Sequence, residues 1–118
     1  MQSILIILLV AVLGSGCATN TEIYYWGSYE KLIYTMYNKP GSADPGLQII
    51  TLTQDIQKAQ EKGKRVPPGV HAHLGFMYAI QGNVEQSQAA FLQEKLLFPE
   101  SAIFIDGMMA RALKSAAQ

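Results

Sequence analysis

The chain has 118 residues, which is enough for one small domain with a single hydrophobic core. Nine basic and nine acidic residues leave a formal net charge of zero, so the chain lacks the excess of Lys and Arg with which proteins hold nucleic acid or anionic membrane surfaces. Cys17 is the only cysteine, which excludes a disulfide within the chain and a cysteine-rich metal site.

An apolar stretch stands near the start of the chain. Residues 4–13 are all apolar, and Gly14, Ser15 and Gly16 follow them directly before Cys17. About ten apolar residues are too few to span a bilayer as a helix, which takes about 20. A short apolar stretch ending in small residues is typical of a secretory signal peptide. The position of Cys17 makes residues 1–16 resemble a bacterial lipoprotein signal, which implies a diacylglycerol on Cys17. The alternative is an ordinary signal peptide with an incidental cysteine.

The residues after Cys17 bear on where the protein is held. By the same resemblance, Ala18 rather than Asp after the lipidated cysteine implies the outer membrane. Several acyl chains on one residue make a stable anchor, whereas a single chain holds only marginally. We therefore expect residues 17–23 to form a lipidated tether. Residues 24–118 are expected to form a domain on the periplasmic face of the outer membrane.

Aromatic residues crowd the first predicted helix, Tyr24–Asn38. Four side chains recur at helical spacing and share one face: Trp26, Tyr29, Ile33 and Tyr37. This face is either part of the core, with phenol oxygens reaching the surface, or an aromatic recognition surface for a peptide or a glycan.

A loop rich in Pro and Gly, Lys39–Gly46, separates this helix from a second predicted helix, Leu47–Lys62. Leu52, Ile56 and Ala59 are spaced as an apolar seam along the second helix. The two helices look like a degenerate copy of the hairpin that follows them.

The stretch from Pro67 to Ser101 carries the clearest pattern in the chain. It contains, in order, Leu74-Gly75, Tyr78, the turn residue Gly82, the small residue Ser87, Phe91 and Pro99. This order resembles the tetratricopeptide repeat of about 34 residues, in which two antiparallel helices approach closely at small residues. We predict helices at about 69–81 and 84–98, and a closing helix at about 102–116. The expected fold is all-α, with tetratricopeptide-like hairpins and about five helices.

In a tetratricopeptide hairpin the first helix lines the concave face. The register then places Gly69, Ala72, Phe76 and Ala79 on that face, as small residues around one aromatic anchor. The alternative is that Phe76 packs on the aromatic first helix. The predicted partner-binding residues are Phe76, Ala72, Ala79, Trp26 and His73.

Three polar residues of the repeat need an explanation. His71 and His73 are two residues apart and diverge by about 200° on a helix, so they cannot chelate one metal ion. We expect His71 to pack or hydrogen-bond in the core and His73 to face a partner or solvent. Glu94 stands where the repeat has a small residue, so its carboxylate needs a partner. The candidates are His71, Lys95 and a backbone N–H of the closing helix, in a structural role or a ligand contact.

The mature chain resembles a family of small, uncharacterised Gram-negative lipoproteins known only as a domain of unknown function. Three segments carry the resemblance: Tyr25-Trp26-Gly27-x-Tyr29-Glu30, residues 67–75 and residues 94–101. The resemblance implies a tetratricopeptide-like periplasmic domain on the outer membrane. Members tend to be encoded beside a lipoprotein of the curli-secretion-channel type, which implies a shared envelope complex.

Nothing in the sequence is typical of an enzyme, because it has no Ser–His–Asp order, no phosphate-binding glycine loop and no spaced metal ligands. We therefore expect a non-enzymatic adaptor that holds another envelope lipoprotein, or a component of cell-wall synthesis or secretion. We expect no cofactor, metal, nucleic acid or small-molecule substrate. The alternatives are a module that binds peptidoglycan or another glycan through the N-terminal aromatic residues, and a cryptic hydrolase.

Overall fold

Five α-helices and one short 3₁₀ turn make up the computed structural model, which describes residues 21–118 apart from the side chain of Ala116. The 3₁₀ turn, Pro99–Ser101, leads into the last helix. The helices are α1 (Tyr29–Asn38), α2 (Pro45–Glu61), α3 (Val70–Ile80), α4 (Val84–Leu97) and α5 (Ala102–Ala116). The expected all-α fold of about five helices is confirmed.

The hairpin of α3 and α4 is held together at the small residues of the repeat pattern. A Cβ atom at Gly75 would lie 3.0 Å from the Cδ1 and Cγ atoms of Phe91, so the aromatic ring rests directly on the backbone of α3. Ser87 lies one turn before Phe91 on α4, and both side chains are fully buried. The close approach of two helices that the pattern predicts at Gly75 is therefore present.

Helix α3 is the centre of the fold, because it contributes to both core clusters. One cluster joins α3 to α4 and α5 through Ala72, Ala79, Phe91, Ile105 and Ala112. The other joins α3 to α2 and α4 through Leu52, Val70, Leu74 and Ala90. By contrast, α1 has no fully buried residue and reaches the second cluster through Tyr29 and Leu32. Helix α1 is thus the outermost element of the stack.

The first helix begins at Tyr29 and not at the predicted Tyr24. The residues before it pair with a distant segment, since the Tyr25 N–H donates to the Arg65 carbonyl at 2.9 Å. Gly27 then turns the chain at a φ of 49°, and the Ser28 N–H donates to the Asp55 carboxylate at 2.7 Å. A Cβ at Gly27 would overlap that carboxylate. Long-range bonds therefore replace the helical bonds that residues 24–28 would otherwise make.

The same backbone pairing bears on the predicted tether, residues 17–23. The Arg65 N–H donates to the Ile23 carbonyl at 3.1 Å, and Lys64 lies 3.7 Å from the Glu22 carboxylate. Within the described residues, the contacts of the domain therefore begin at Glu22.

Helix α2 begins two residues before the predicted Leu47, because Asp44 caps it and Pro45 fits its first turn. The Asp44 carboxylate accepts a hydrogen bond from the Leu47 N–H at 3.1 Å. Leu52 and Ala59 are fully buried, as the apolar seam predicts.

Helix α5 spans the range expected for the closing helix, and its buried residues Ile105 and Ala112 pack on α3 and α4. Across residues 21–118, no helix combines the length and the apolar character needed to cross a membrane.

Candidate functional site

An apolar groove lies along α3, with α1 on one side and α5 on the other. Its volume is about 550 Å³. Helix α1 contributes Tyr29, Ile33, Met36 and Tyr37, and α5 contributes Phe104 and Met108. The rest of the lining comes from the start and middle of α3: Gly69, Ala72, His73, Phe76 and Met77. We call this site the α3 groove.

Phe76, the predicted anchor, lies in the α3 groove and is 41% exposed. It shares the groove with aromatic side chains of α1 but is not buried by them. Phe104, on the α5 side, is 65% exposed. None of the lining residues is an acid, a Lys or an Arg. Tyr37, on the α1 side, is exposed as well. The described residues therefore present an open, uncharged surface with three accessible aromatic rings.

The two alanines predicted beside Phe76 are less accessible than the repeat register suggested. Ala72 lines the α3 groove but is buried. Ala79 is also buried and does not line the groove, because the closing helix packs over it through Ala112. The contact surface on α3 is therefore shorter than predicted and centres on Phe76.

His73 lines the α3 groove and is held there by a neighbouring helix. Its Nε2 atom lies 2.8 Å from Oε1 of Gln48 on α2, and its ring lies 5.9 Å from the ring of Tyr29. Partial burial lowers the pKa of His73 below the ordinary value of 6.5, so the ring is neutral at pH 7. His73 therefore adds a fixed polar group, and no charge, to the groove.

His71 is 9% exposed and lies outside the α3 groove. Burial lowers the pKa of His71 below 6.5 as well. The two rings lie on different sides of α3, as their spacing predicts, and do not form a joint site.

Glu94 is 2% exposed, and its carboxylate binds the start of α3. It accepts hydrogen bonds from the Gly69 N–H at 2.7 Å and from the Ala72 N–H at 3.2 Å. These N–H groups have no partner within the helix, and the helix dipole favours a negative charge there. The partner of Glu94 is thus the first turn of α3 and none of the three expected candidates.

Lys95, one of those candidates, pairs instead with Asp106 on α5 at 2.6 Å. The buried Glu94 charge has a further effect on α1. Burial, and then the negative charge of Glu94, raise the pKa of the Tyr29 phenol above its usual value of 10. Glu94 thus hydrogen-bonds the first turn of α3, which forms the floor of the α3 groove, and, in addition to burial, raises the pKa of Tyr29 in its α1 wall.

Trp26 lies apart from the α3 groove. Its ring stacks on Tyr29 at 6.5 Å and forms a shallow surface on α1 with Tyr34 and Tyr37. We call this the α1 aromatic surface. Tyr34 and Tyr37 are exposed, and Trp26 is partly exposed. The structure therefore places the predicted partner-binding residues Phe76 and Trp26 on two adjoining surfaces, which share Tyr29, Ile33 and Tyr37.

Sequence reasoning missed Phe104, which forms part of the α5 wall of the groove. It also missed Gln48 and Asp55, the polar residues of α2 that hold His73 and the start of α1. Phe104 lies outside the apolar seam of α5, so helical periodicity marks it only as an exposed apolar residue. Gln48, which binds His73, and Asp55, which binds Ser28, are polar residues on the buried side of α2. The only sequence signal for Gln48 and Asp55 is that each is a polar residue on the apolar face of α2.

Cys17, the predicted lipidation site, lies outside the described residues. Over residues 21–118, no group of three or more His, Cys, Asp or Glu side chains is close enough to hold a metal ion.

Comparison with known proteins found no curated protein and no solved structure that matches the chain. One family matches, over residues 23–108, and its description is Domain of unknown function (DUF4810). That range includes every residue that lines the α3 groove. Because the match covers most of the 118 residues, the chain belongs to the DUF4810 family.

Proposed function

We propose that this protein is a non-enzymatic adaptor that is anchored to the outer membrane and binds a protein partner through the α3 groove. The observation that carries the proposal is the exposed Phe76 ring in an open apolar groove between α1 and α5. A half-exposed aromatic residue surrounded by apolar side chains has the composition of an interface hot spot.

The chemistry of the groove supports an apolar partner surface. Neutral His73 is tied to Gln48, so no lining side chain offers a charge to a ligand at pH 7. Met36 and Met108, which are partly exposed, add flexible side chains that can adapt to a bound shape. A groove of this kind suits the apolar face of an amphipathic helix, which would place side chains at helical spacing against Phe76.

The anchoring part of the proposal rests on the sequence. Small residues before Cys17 and Ala18 after it support acylation of Cys17 and retention in the outer membrane. The domain would then face the periplasm, where its partner would be another envelope lipoprotein or a component of cell-wall synthesis or secretion. The adaptor would hold that partner close to the membrane surface.

We expect Phe76→Ala to weaken capture of the partner about 30-fold, which corresponds to the loss of a hot spot of about 2 kcal/mol. The loss of stability should be clearly smaller than the about 3–5 kcal/mol that truncation of a fully buried phenylalanine costs, because Phe76 is 41% exposed. The measurement is photocrosslinking in cells, with the crosslinker at Phe104 on the groove wall and the product identified by mass spectrometry.

Leu96→Ala is the matched control, because Leu96 is 75% exposed on α4 and does not line the groove. A crosslinker at Leu96 should not capture the protein that is captured from residue 104. The proposal fails if both positions capture the same proteins, or if Phe76→Ala leaves capture from residue 104 unchanged while the variant stays folded.

Replacement of Cys17 tests the anchor separately. Cys17→Ser should abolish acylation, because serine has no thiol to accept the diacylglycerol, and should release the protein from the outer membrane fraction. Incorporation of labelled palmitate measures this directly. Labelling of Cys17→Ser at the level of the parent protein would contradict the lipoprotein assignment and would leave the groove hypothesis untouched.

The second candidate function is binding of a glycan or peptidoglycan at the α1 aromatic surface. The exposed rings of Trp26, Tyr34 and Tyr37 favour it, because sugar rings stack on aromatic faces. Glu30 is the only charged residue that lines this surface among those described, so it offers few polar groups to sugar hydroxyls. Retention on purified sacculi that is lost in Trp26→Ala and kept in Phe76→Ala would favour this alternative.

A further inference from the structure

A second cavity lies on the His71 side of α3, away from the α3 groove. Its volume is about 440 Å³, and it is bounded by α2, by residues 64–66 and by the end of α4. It shares no lining residue with the α3 groove. We call it the His71 cavity. The binding of a partner in the α3 groove does not involve the His71 cavity.

The buried His71 ring is the first sign that this cavity binds a ligand. His71 is nine-tenths buried and lines the cavity, yet its ring makes no hydrogen bond with any other described residue. His73, in contrast, is bonded to Gln48. The ring nitrogens are not sealed from solvent, because Ser87 Oγ is the only fully buried side-chain nitrogen or oxygen atom without a partner among the described residues. They are therefore available to hydrogen-bond a ligand that enters the cavity.

The charge of the lining selects the class of ligand. Arg65 and Lys64 line the cavity, and no acidic residue does so among those described. The Arg65 guanidinium lies over the rings of Tyr24 and Phe98, at 5.5 and 5.8 Å from their centroids. These rings orient it without neutralising it, and within the described residues no carboxylate lies within 4 Å of it. The site is therefore prepared for an anion.

Lys64 adds a second positive charge to the cavity, and its ion pair with Glu22 is weak. Its Nζ atom is 3.7 Å from Glu22, and both side chains are partly exposed. Pairs of this kind contribute little to stability and are easily rearranged.

The remaining lining residues indicate which other groups the ligand carries beside its negative charge. Gln60 and Gln93 offer amide groups that can both donate and accept hydrogen bonds, as a peptide backbone requires. Ile56 and Leu97 supply an apolar wall. A free phosphate would use the cations and leave the amides and the apolar wall without a function.

We propose that the His71 cavity binds the C-terminal carboxylate of a peptide whose last residue is apolar. Arg65 holds the carboxylate through its paired N–H groups, with Lys64 beside it. Gln60 and Gln93 bind the last peptide groups, and the final side chain packs against Ile56 and Leu97. The His71 ring completes its hydrogen bonding with the ligand. This site is independent of the α3 groove.

The test uses the full chain in detergent and the peptide acetyl-Ala-Ala-Leu with a free C-terminus. NMR titration should shift the ring protons of His71 and leave those of His73 unchanged, because His73 faces the other side of α3. The same peptide with a C-terminal amide should bind about tenfold more weakly or worse, since it lacks the charge that Arg65 recognises.

Arg65→Gln should weaken binding of the free-acid peptide about tenfold or more. Lys58→Gln is the control, because it removes an exposed cation of α2 that does not line the cavity. The melting temperature of each variant shows whether it remains folded. The proposal is overturned if acid and amide peptides bind equally, if Arg65→Gln binds like the parent, if isocaproate alone binds as tightly as the peptide, or if millimolar peptide leaves His71 unshifted.

Discussion

Glu94→Ala should lose about 2–4 kcal/mol of the free energy of unfolding, because it leaves two N–H groups at the start of α3 without an acceptor. The Gly69 and Ala72 N–H groups donate to Glu94 at 2.7 and 3.2 Å; the first bond is partly buried and the second is buried. Truncation also opens a small cavity there. Chemical denaturation followed by circular dichroism measures the loss.

Two further variants separate the hydrogen bonds of Glu94 from its charge. Glu94→Gln keeps one acceptor oxygen and the side-chain volume, so it should lose less stability than Glu94→Ala. Glu85→Ala removes an exposed carboxylate from the same helix and should change stability by less than about 1 kcal/mol. If Glu94→Ala were as stable as the parent, the bonds between α4 and the start of α3 would not contribute to the fold.

Glu94 also fixes the position of two residues of the binding site. Gly69 and Ala72, which it binds, both line the α3 groove. Movement of the first turn of α3 would therefore change the groove floor.

Gly75→Leu should destabilise the hairpin of α3 and α4 by an amount near the upper end of about 1–3 kcal/mol. A Cβ atom alone would lie 3.0 Å from the Phe91 ring, and leucine adds three more carbon atoms in the same place. Phe91 is fully buried and cannot move toward solvent without opening the core. The melting temperature should fall by about 4–8 °C for each kcal/mol lost.

Ala89→Leu is the matched control, because it introduces the same side chain at an exposed position of α4. It should leave the melting temperature within about 4 °C of the parent, because surface substitutions usually change stability by no more than about 0.5 kcal/mol. An unchanged melting temperature in Gly75→Leu would show that the two helices are farther apart at this point than the structure has them.

The sequence by itself determined the helical architecture and the contact at Gly75. Helices α3 to α5 follow from apolar residues at helical spacing, from the turn at Gly82 and from Pro99 after α4. These signals act between residues that are close in the chain, so the sequence displays them directly. The same holds for the small residues Gly75 and Ser87, since a repeat unit forms its hairpin from about 34 consecutive residues.

The sequence shows that Glu94 needs a partner but does not show which partner it has. A carboxylate among apolar residues must have a partner, which the sequence shows. That the partner is the first turn of α3, 25 residues earlier, depends on how α3 and α4 lie against each other.

Only the tertiary structure decided where α1 begins, which residues remain accessible and where the groove lies. Tyr24 to Ser28 leave the helix because they bind Arg65 and Asp55, and the Ser28–Asp55 bond joins residues 27 positions apart. Ala79 is buried because α5 crosses it, and Phe104 becomes a wall because α5 faces α1 over α3. Each of these outcomes depends on contacts between helices, which the periodicity of a single helix does not contain.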